Sequence, residues 1–384
     1  MTTEHSAGTG DPVGTQDALG TVSETIRQLN ICNSCRYCEG YCAVFPALER
    51  RTELSVIDLG HLSNLCHDCR SCLYACMYAP PHEFAINLPV VLAQAREQTY
   101  DMSFPLPAGL GGDRMTKGFT AATVFVIAAA AVLAIVAGTH GWGILGGQSA
   151  RSPYVVVPYA GILILALLPA VLSVATGAIA SMKYWQRIGG RPRDLLNAPA
   201  VWATLRDGLS LRYLRGGGED CYYPAANPTG LRRYLHTAVI TGFGLCLLST
   251  IAAGVEQDLL GIQPPYPYLS VPVLSGLVGG IALAFGCAGL LVTKPEVDRS
   301  ATEPRMVRRD TWFGAGLLAL ALTGLATLFT RGTAAFGVVF ALHLILVVGC
   351  FAVAPYTKFV HFIFRLLSLM KDNLERTAIS ETEG

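Results

Sequence analysis

Charge is what this 384-residue sequence has least of: Asp, Glu, Lys and Arg together make up 14% of it, against 52% hydrophobic residues. With a mean hydropathy of +0.44, that balance excludes a wholly water-soluble enzyme of this size. The charges that exist nearly cancel, 28 basic against 27 acidic for a net +1, so the global positive field of a nucleic-acid binder is missing. No G-x-G-x-x-G follows a strand pattern, and no Ser/His/Asp or paired-carboxylate arrangement stands out. A flavin, nicotinamide or hydrolytic site is therefore not readable in the chain. Residues 1–22 lack an apolar core as well, which predicts a disordered polar tail and not a signal peptide.

Six stretches contain no charged residue at all: 118–150, 152–182, 234–255, 259–293, 311–330 and 332–357. A helix needs about 20 apolar residues to cross the hydrocarbon of a bilayer, and each stretch holds or nearly fills such a span. The expectation is a six-helix membrane domain over 117–366, with 367–384 as a polar tail. The connections are unequal. Loop 183–233 carries Lys183, Arg187, Arg191, Arg193, Arg206, Arg212, Arg215, Arg232 and Arg233, and 294–310 carries Lys294, Arg299, Arg305, Arg308 and Arg309. The opposite loops offer only Arg151 and Arg331. The positive-inside rule then puts the basic loops, both termini and the segment 23–116 in the cytoplasm, around a multi-pass cytoplasmic (inner) membrane protein.

Of the 12 cysteines, eight fall in two runs of one spacing: Cys32-x2-Cys35-x2-Cys38-x3-Cys42 and Cys66-x2-Cys69-x2-Cys72-x3-Cys76. Disulfides do not suit a reducing compartment. A zinc site pairs two CxxC knuckles and leaves the third evenly spaced Cys idle. Three cysteines spaced by two residues instead wrap one cubane, and the fourth reaches the other cluster. The pattern predicts one [4Fe-4S] cluster on Cys32, Cys35, Cys38 and Cys76 and a second on Cys66, Cys69, Cys72 and Cys42. Segments 46–51 and 57–65 have helical rather than alternating spacing. The expected fold class is thus all-α, a helical two-cluster ferredoxin-like domain followed by the six-helix bundle. His61, His67 and His82 receive no ligand role, Glu39 and Asp68 are expected in solvent, and Cys221 is expected to be unreactive.

His236, His343 and His361 lie in or at the ends of the spans, where an ionisable residue is a functional hypothesis by default. Beside clusters that supply electrons, the natural occupant is haem b on two axial histidines. On one continuous last helix, His343 and His361 stand 18 residues and about 27 Å apart, on one face at opposite membrane sides. His236 enters level with His361, so that pair is expected to clamp an inner haem. The candidate partner of His343 for a second, outer haem is His140.

With these residues in place, the chain resembles the tricarballylate (citrate) utilisation protein B family over residues 25–370. The likeness rests on the paired cysteine runs, on Leu205-Arg-Asp-Gly-Leu-Ser-Leu-Arg-Tyr-Leu-Arg-Gly-Gly-Gly218, and on Cys221-Tyr-Tyr-Pro224 and Arg232-Arg233-Tyr-Leu-His236. The stretch from His343 to Pro355-Tyr-Thr-Lys-Phe-Val-His361 is also similar to the last helix of nitrate reductase gamma subunits, which ligate two haems b. Where the family tends to show two adjacent histidines, this chain has Leu235-His236. The resemblance implies an FAD-dependent dehydrogenase as partner, oxidising tricarballylate to cis-aconitate, and passage of its electrons through this protein to membrane quinone. Two further readings stay open: a haem-free iron–sulfur quinone reductase subunit, and a carboxylate transporter with a redox domain. The second calls for a cation at mid-membrane, and the six spans contain none. Loop 183–233 is longer than a connection requires and is expected to pack on the cysteine domain or on the docked flavoprotein.

Overall fold

The computed structural model describes residues 13–103, 114–139, 141–145, 151–218, 220–224 and 226–383. His140, assigned above to an outer haem, and the Pro/Gly-rich stretch 104–112 lie outside the described residues.

The cysteine domain is built from α1 (Val13–Cys35), α2 (Val44–Glu49), α3 (Val56–Leu65), the single turn α4 (Ser71–Tyr74) and α5 (Leu88–Ser103). On α1 the buried residues Thr25, Gln28 and Leu29 recur at helical spacing and face α5. Residues 13–22, expected in the disordered tail, belong to this helix. α3 opens with a capping box: Ser55 Oγ accepts from the Asp58 N–H at 3.3 Å, and Asp58 Oδ2 accepts from the Ser55 N–H at 3.0 Å. Leu59, Leu62 and Leu65 then bury one face of α3 in a common core with Leu29, Leu48 and Leu92.

Among the described residues, six helices are long and apolar enough to cross a membrane: α6 (Arg114–Thr139), α7 (Tyr159–Arg187), α9 (Leu231–Asp258), α10 (Val271–Val292), α11 (Pro304–Phe329) and α12 (Phe336–Val353). The helices α9 and α10 pack most closely. A Cβ placed on Gly242 would lie 2.4 Å from the Leu283 nitrogen, and one on Gly279 would lie 2.8 Å from the Cys246 nitrogen. Only glycine lets the two backbones approach that far. From this pair the bundle continues through α11 to α12, which also packs against α6 and α7. Between α7 and the α9–α11 side runs a groove of about 3400 Å³ with a mainly apolar lining.

The expected single last helix is two. A 3-10 turn, Ala354–Tyr356, ends α12 at Pro355, and α13 (Val360–Glu383) starts afresh. Proline has no N–H for a helical bond and its ring crowds the preceding turn. His343 and His361 therefore lie on different helices and do not share one face of a continuous last helix. Nor is 367–383 a free tail. Phe364, Ser368, Leu369, Met370 and Asp372 of α13 are buried. Phe364 stacks on Tyr184 of α7 at 4.3 Å, whose hydroxyl donates to Gly60 O of α3 at 3.1 Å. Arg50 pairs with Asp372, and Arg51 with Glu375 at 3.0 Å. Thus α7 and α13 carry the bundle into the cysteine domain.

Loop 183–233 folds into α8 (Ala198–Leu209), which packs on α13, and a two-residue ribbon, β1 (Cys221–Tyr222) with β2 (Pro228–Thr229). Leu214, Cys221 and Tyr223 cover Cys69, and the Tyr222 N–H donates to Cys69 O at 3.0 Å. The loop packs on the cysteine domain, as its length suggested.

Candidate electron-transfer site

The last turn of α1 presents Cys32 and Cys35, and Arg36 then turns left-handed (φ 55°), which ends the helix and brings Cys38 round. The second run leaves α3 through extended Cys66 and turns left-handed at Asp68 (φ 55°) and Arg70 (φ 65°). These conformations wind each run back on itself. Cys32, Cys35, Cys38 and Cys76 share one neighbourhood, where a cavity opens among them. The Cys32 thiol is pushed up to about 12 by burial and then by the charge of Cys76, Cys38 and Cys35. Cys42, Cys66, Cys69 and Cys72 share the other, where burial, reinforced by Cys69 and Cys66, holds the Cys42 thiol well above its ordinary value. The neighbourhoods adjoin, since Cys38 also feels Cys69.

The donor set fits iron–sulfur clusters. Each group offers four thiols, and the second is lined with unspent donors. Among the described residues, Arg70 Nε, Arg70 Nη1 and Ser71 Oγ are buried without a partner, and the Asp68 N–H points at Cys66 Sγ, 3.4 Å away. Polar groups aimed at sulfur are the usual surroundings of such a cluster. No three Cys, His, Asp or Glu side chains among the described residues close on a single ion; a cubane spreads its ligands wider than one ion does.

The neighbouring polar residues are placed differently from expectation. Asp68 is 5% exposed and lies 3.8 Å from both Arg70 and Arg232, so it is a buried countercharge and not a solvated carboxylate. His67 is buried and its Nδ1–H donates to Leu65 O at 2.8 Å. His61 is fully buried, and burial followed by the charge of Arg51 and Lys371 keeps it neutral. His82 Nδ1 accepts from the Phe84 N–H at 3.1 Å. Cys221 donates to Leu214 O at 3.0 Å, and burial pushes its thiol up to about 11, which leaves it a poor nucleophile.

In the bundle, the rings of His236 on α9 and His361 on α13 lie 6.3 Å apart, inclined at 32°. A metal held between two imidazole nitrogens at about 2 Å each, with about 1.1 Å from nitrogen to ring centre, separates the centroids by about 6 Å. The centroid separation is therefore the one that two imidazoles holding a metal between them would show. His361 Nδ1–H donates to Lys358 O, an atom that can only accept, so the proton is fixed on Nδ1 and Nε2 keeps its lone pair. His236 Nδ1 is buried without a partner among the described residues. The groove passes beside this pair along Phe359, Val360 and Ile363.

His343 lines the same groove on α12. Its Nδ1 lies 3.0 Å from Thr323 Oγ1, whose own proton goes to Ala319 O at 2.8 Å. Thr323 Oγ1 thus holds the His343 ring by its Nδ1. No described histidine ring stands across from it. Leu235, the residue before His236, is 4% exposed and packs on α10, so close that a Cβ on Gly289 would lie 2.4 Å from it. Position 235 thus serves helix packing rather than the His236–His361 pair.

Two residues were not singled out by sequence, Arg96 and Arg365, and a third, Arg232, was read only as a basic loop residue and part of the segment that carries the resemblance. Arg96 Nη2 and Arg365 Nη2 donate to Cys66 O at 2.8 and 2.9 Å, and Arg232 Nη1 donates to Asp68 O at 2.5 Å. The signal was present, since Arg232/His236 and His361/Arg365 are each four residues apart, on one helix face.

Residues 25–102 match the family model described as the citrate utilization protein B Fer4-like domain, and residues 116–382 match the model for citrate utilization protein B. Citrate utilization protein B of Escherichia coli is 36% identical over 360 residues, which cover 92% of each chain. No solved structure matches the chain. A Fer4-like domain carried on a bundle of membrane-spanning helices, matched along nearly its whole length, places this chain in the citrate utilization protein B family.

Proposed function

We propose that this protein is the membrane electron carrier of a two-protein oxidoreductase: the cysteine domain accepts electrons from an FAD-dependent tricarboxylate dehydrogenase, and the bundle delivers them to quinone. The relative's name supports a tricarboxylate context, with oxidation of tricarballylate to cis-aconitate as the matching partner reaction. The observation that carries the reading is that the helices bearing a histidine pair with rings 6.3 Å apart are tied, through Arg232 and Arg365, to the backbone of the second cysteine run. Cys32, Cys35, Cys38 and Cys76 would hold one [4Fe-4S] cluster, Cys42, Cys66, Cys69 and Cys72 the other, and His236 and His361 a haem b. When bound, these groups supply one-electron relay chemistry that bridges a two-electron flavin and a two-electron quinone.

The chain's own residues bind and orient. Lys358 O holds the His361 tautomer, and Thr323 holds the ring of His343, a candidate ligand of an outer haem. The groove runs beside the histidine pair along apolar Phe359, Val360 and Ile363. The Arg-rich ends of the helices face the cytoplasm by the positive-inside rule, which supports a soluble partner docking there.

The test is iron and haem stoichiometry on protein purified from membranes, with wild type beside His236→Ala and His361→Ala. The reading expects about eight cluster irons and at least one haem per chain, with a haem lost in both variants. Eight irons without haem would favour the haem-free quinone reductase. Absence of iron would end the electron-carrier reading.

A further inference from the structure

Two arginines tie the second cysteine run to the two helices that carry the histidine pair, and they occupy equivalent places. On α9, Arg232 donates to Asp68 O at 2.5 Å and lies 3.8 Å from the Asp68 carboxylate. On α13, Arg365 donates to Cys66 O at 2.9 Å and to Asn64 O at 3.4 Å. α9 runs into the bundle and α13 runs out of it. His236 therefore lies one turn below Arg232, and His361 one turn below Arg365, about 6 Å of rise in each case. The two rings then meet under the loop that the two arginines hold.

The same loop concentrates positive charge. Arg96, 5% exposed, gives two further bonds to Ser63 O and Cys66 O, both 2.8 Å. Arg70 is 2% exposed with two unpartnered nitrogens. Asp68 is the one carboxylate beside these four guanidinium groups that the described ion pairs show. The first run has nothing comparable: Cys35 is exposed, Arg36 is exposed and bonds only Asn33 O at 3.1 Å, and Tyr37 and Met77 stand open beside it at 59% and 63% exposure. A reduced cluster carries one more negative charge than an oxidised one, so buried cations beside it raise its potential.

We propose that Arg232 and Arg365 set the order of the relay: the second cluster, on Cys42, Cys66, Cys69 and Cys72, has the higher potential and faces the histidine pair, while the first, at exposed Cys35, receives electrons from the partner. The inference rests on the electron-carrier reading above. With clusters and haem bound, the step they serve would move one electron from the reduced second cluster to the haem, oxidising the one by one unit and reducing the other by one, with no bond formed or broken and no proton moved. Both arginines are positioning residues, since each touches backbone of the cysteine run and neither touches the metal.

The experiment is a redox titration of the full-length protein in detergent, followed by electron paramagnetic resonance, with the first cluster's signal assigned by Cys35→Ser. Haem reduction is timed after the clusters are reduced. Arg232→Gln and Arg365→Gln are expected to lower the second cluster against the first by about tenfold in their exchange equilibrium, about 59 mV for one electron. Arg365→Lys keeps the charge but not the two-point grip, so the potential holds while haem reduction slows several-fold. Arg36→Gln leaves the gap between the clusters unchanged. Equal shifts of both clusters, or no shift in either Gln variant, would overturn the proposal. Iron content reports whether each variant has folded, and the two Gln substitutions on different helices are independent of one another. Should wild type hold clusters but no haem, the histidine reading fails, and the potential gap between the clusters still decides their order.

Discussion

The two cysteine runs share one spacing and differ in nearly everything around it. The first begins at the end of α1, keeps Cys35 at the surface, and is flanked by open Tyr37 and Met77. The second is sunk under Leu214, Cys221 and Tyr223, its Cys66 and Cys69 only 9% and 7% exposed, and its carbonyls are taken by arginines from α5, α9 and α13. Spacing specifies what a run can bind. Surroundings specify what the bound group does, because potential and access depend on charge, hydrogen bonds and burial that spacing does not contain.

The contrast is open to direct attack. The largest expected effect comes from removing one thiolate in each run. Cys35→Ser and Cys69→Ser should each lower iron from about eight to about four per chain, but only Cys69→Ser should release the covering loop. Limited trypsin cleavage at Arg212 and Arg215 reads that difference, and equal cleavage in both variants would erase the asymmetry.

A smaller effect is expected from a single methyl group. Gly216 has φ +52°, and a Cβ there would lie 2.2 Å from Ser71 Oγ beside the second run. Gly216→Ala should cost about 1–3 kcal/mol through strain and overpacking. Gly40, in the first run, has nothing within 4 Å of its Cβ position, so Gly40→Ala should stay within about 0.5 kcal/mol. Melting temperatures in detergent compare the two.

The smallest concerns how the second run is entered. Burial opposes ionisation of Asp58, yet hydrogen bonds from Ser55 and Arg51 outweigh it and hold the carboxyl below its ordinary 3.8. A depressed folded value stabilises the protein above the unfolded value and loses that contribution as pH falls through the folded one. Asp58→Asn should therefore cost about 1 kcal/mol near neutral pH, with the gap to wild type narrowing below pH 3.8. A gap independent of pH would assign the effect to packing.

Much of the architecture was legible. Six uncharged stretches became six spans, because a bilayer demands length and apolarity and little else of a segment. That same permissiveness hid the break after α12. The stretch 332–357 is uniformly apolar, so its hydropathy runs straight through Pro355, although proline itself marked the place. The docking of α13 was hidden for a related reason: Lys371, Asp372 and Glu375 look like a solvated tail until Arg50 and Arg51, just after α2, are seen to pair with Asp372 and Glu375. Asp68 likewise looks like a surface residue until α9 brings Arg232 to it.

The sequence by itself determined the chemistry of the donors and the medium: eight cysteines in two identical runs, three membrane-level histidines and six apolar spans. These are local properties of spacing and composition. Only the tertiary structure decided which cysteine run lies over the histidines, that His236 and His361 face each other while His343 stands on another helix, and that buried guanidinium groups gather at one run alone. Those outcomes depend on residues hundreds of positions apart meeting in space, where distance and burial set the strength of every charge.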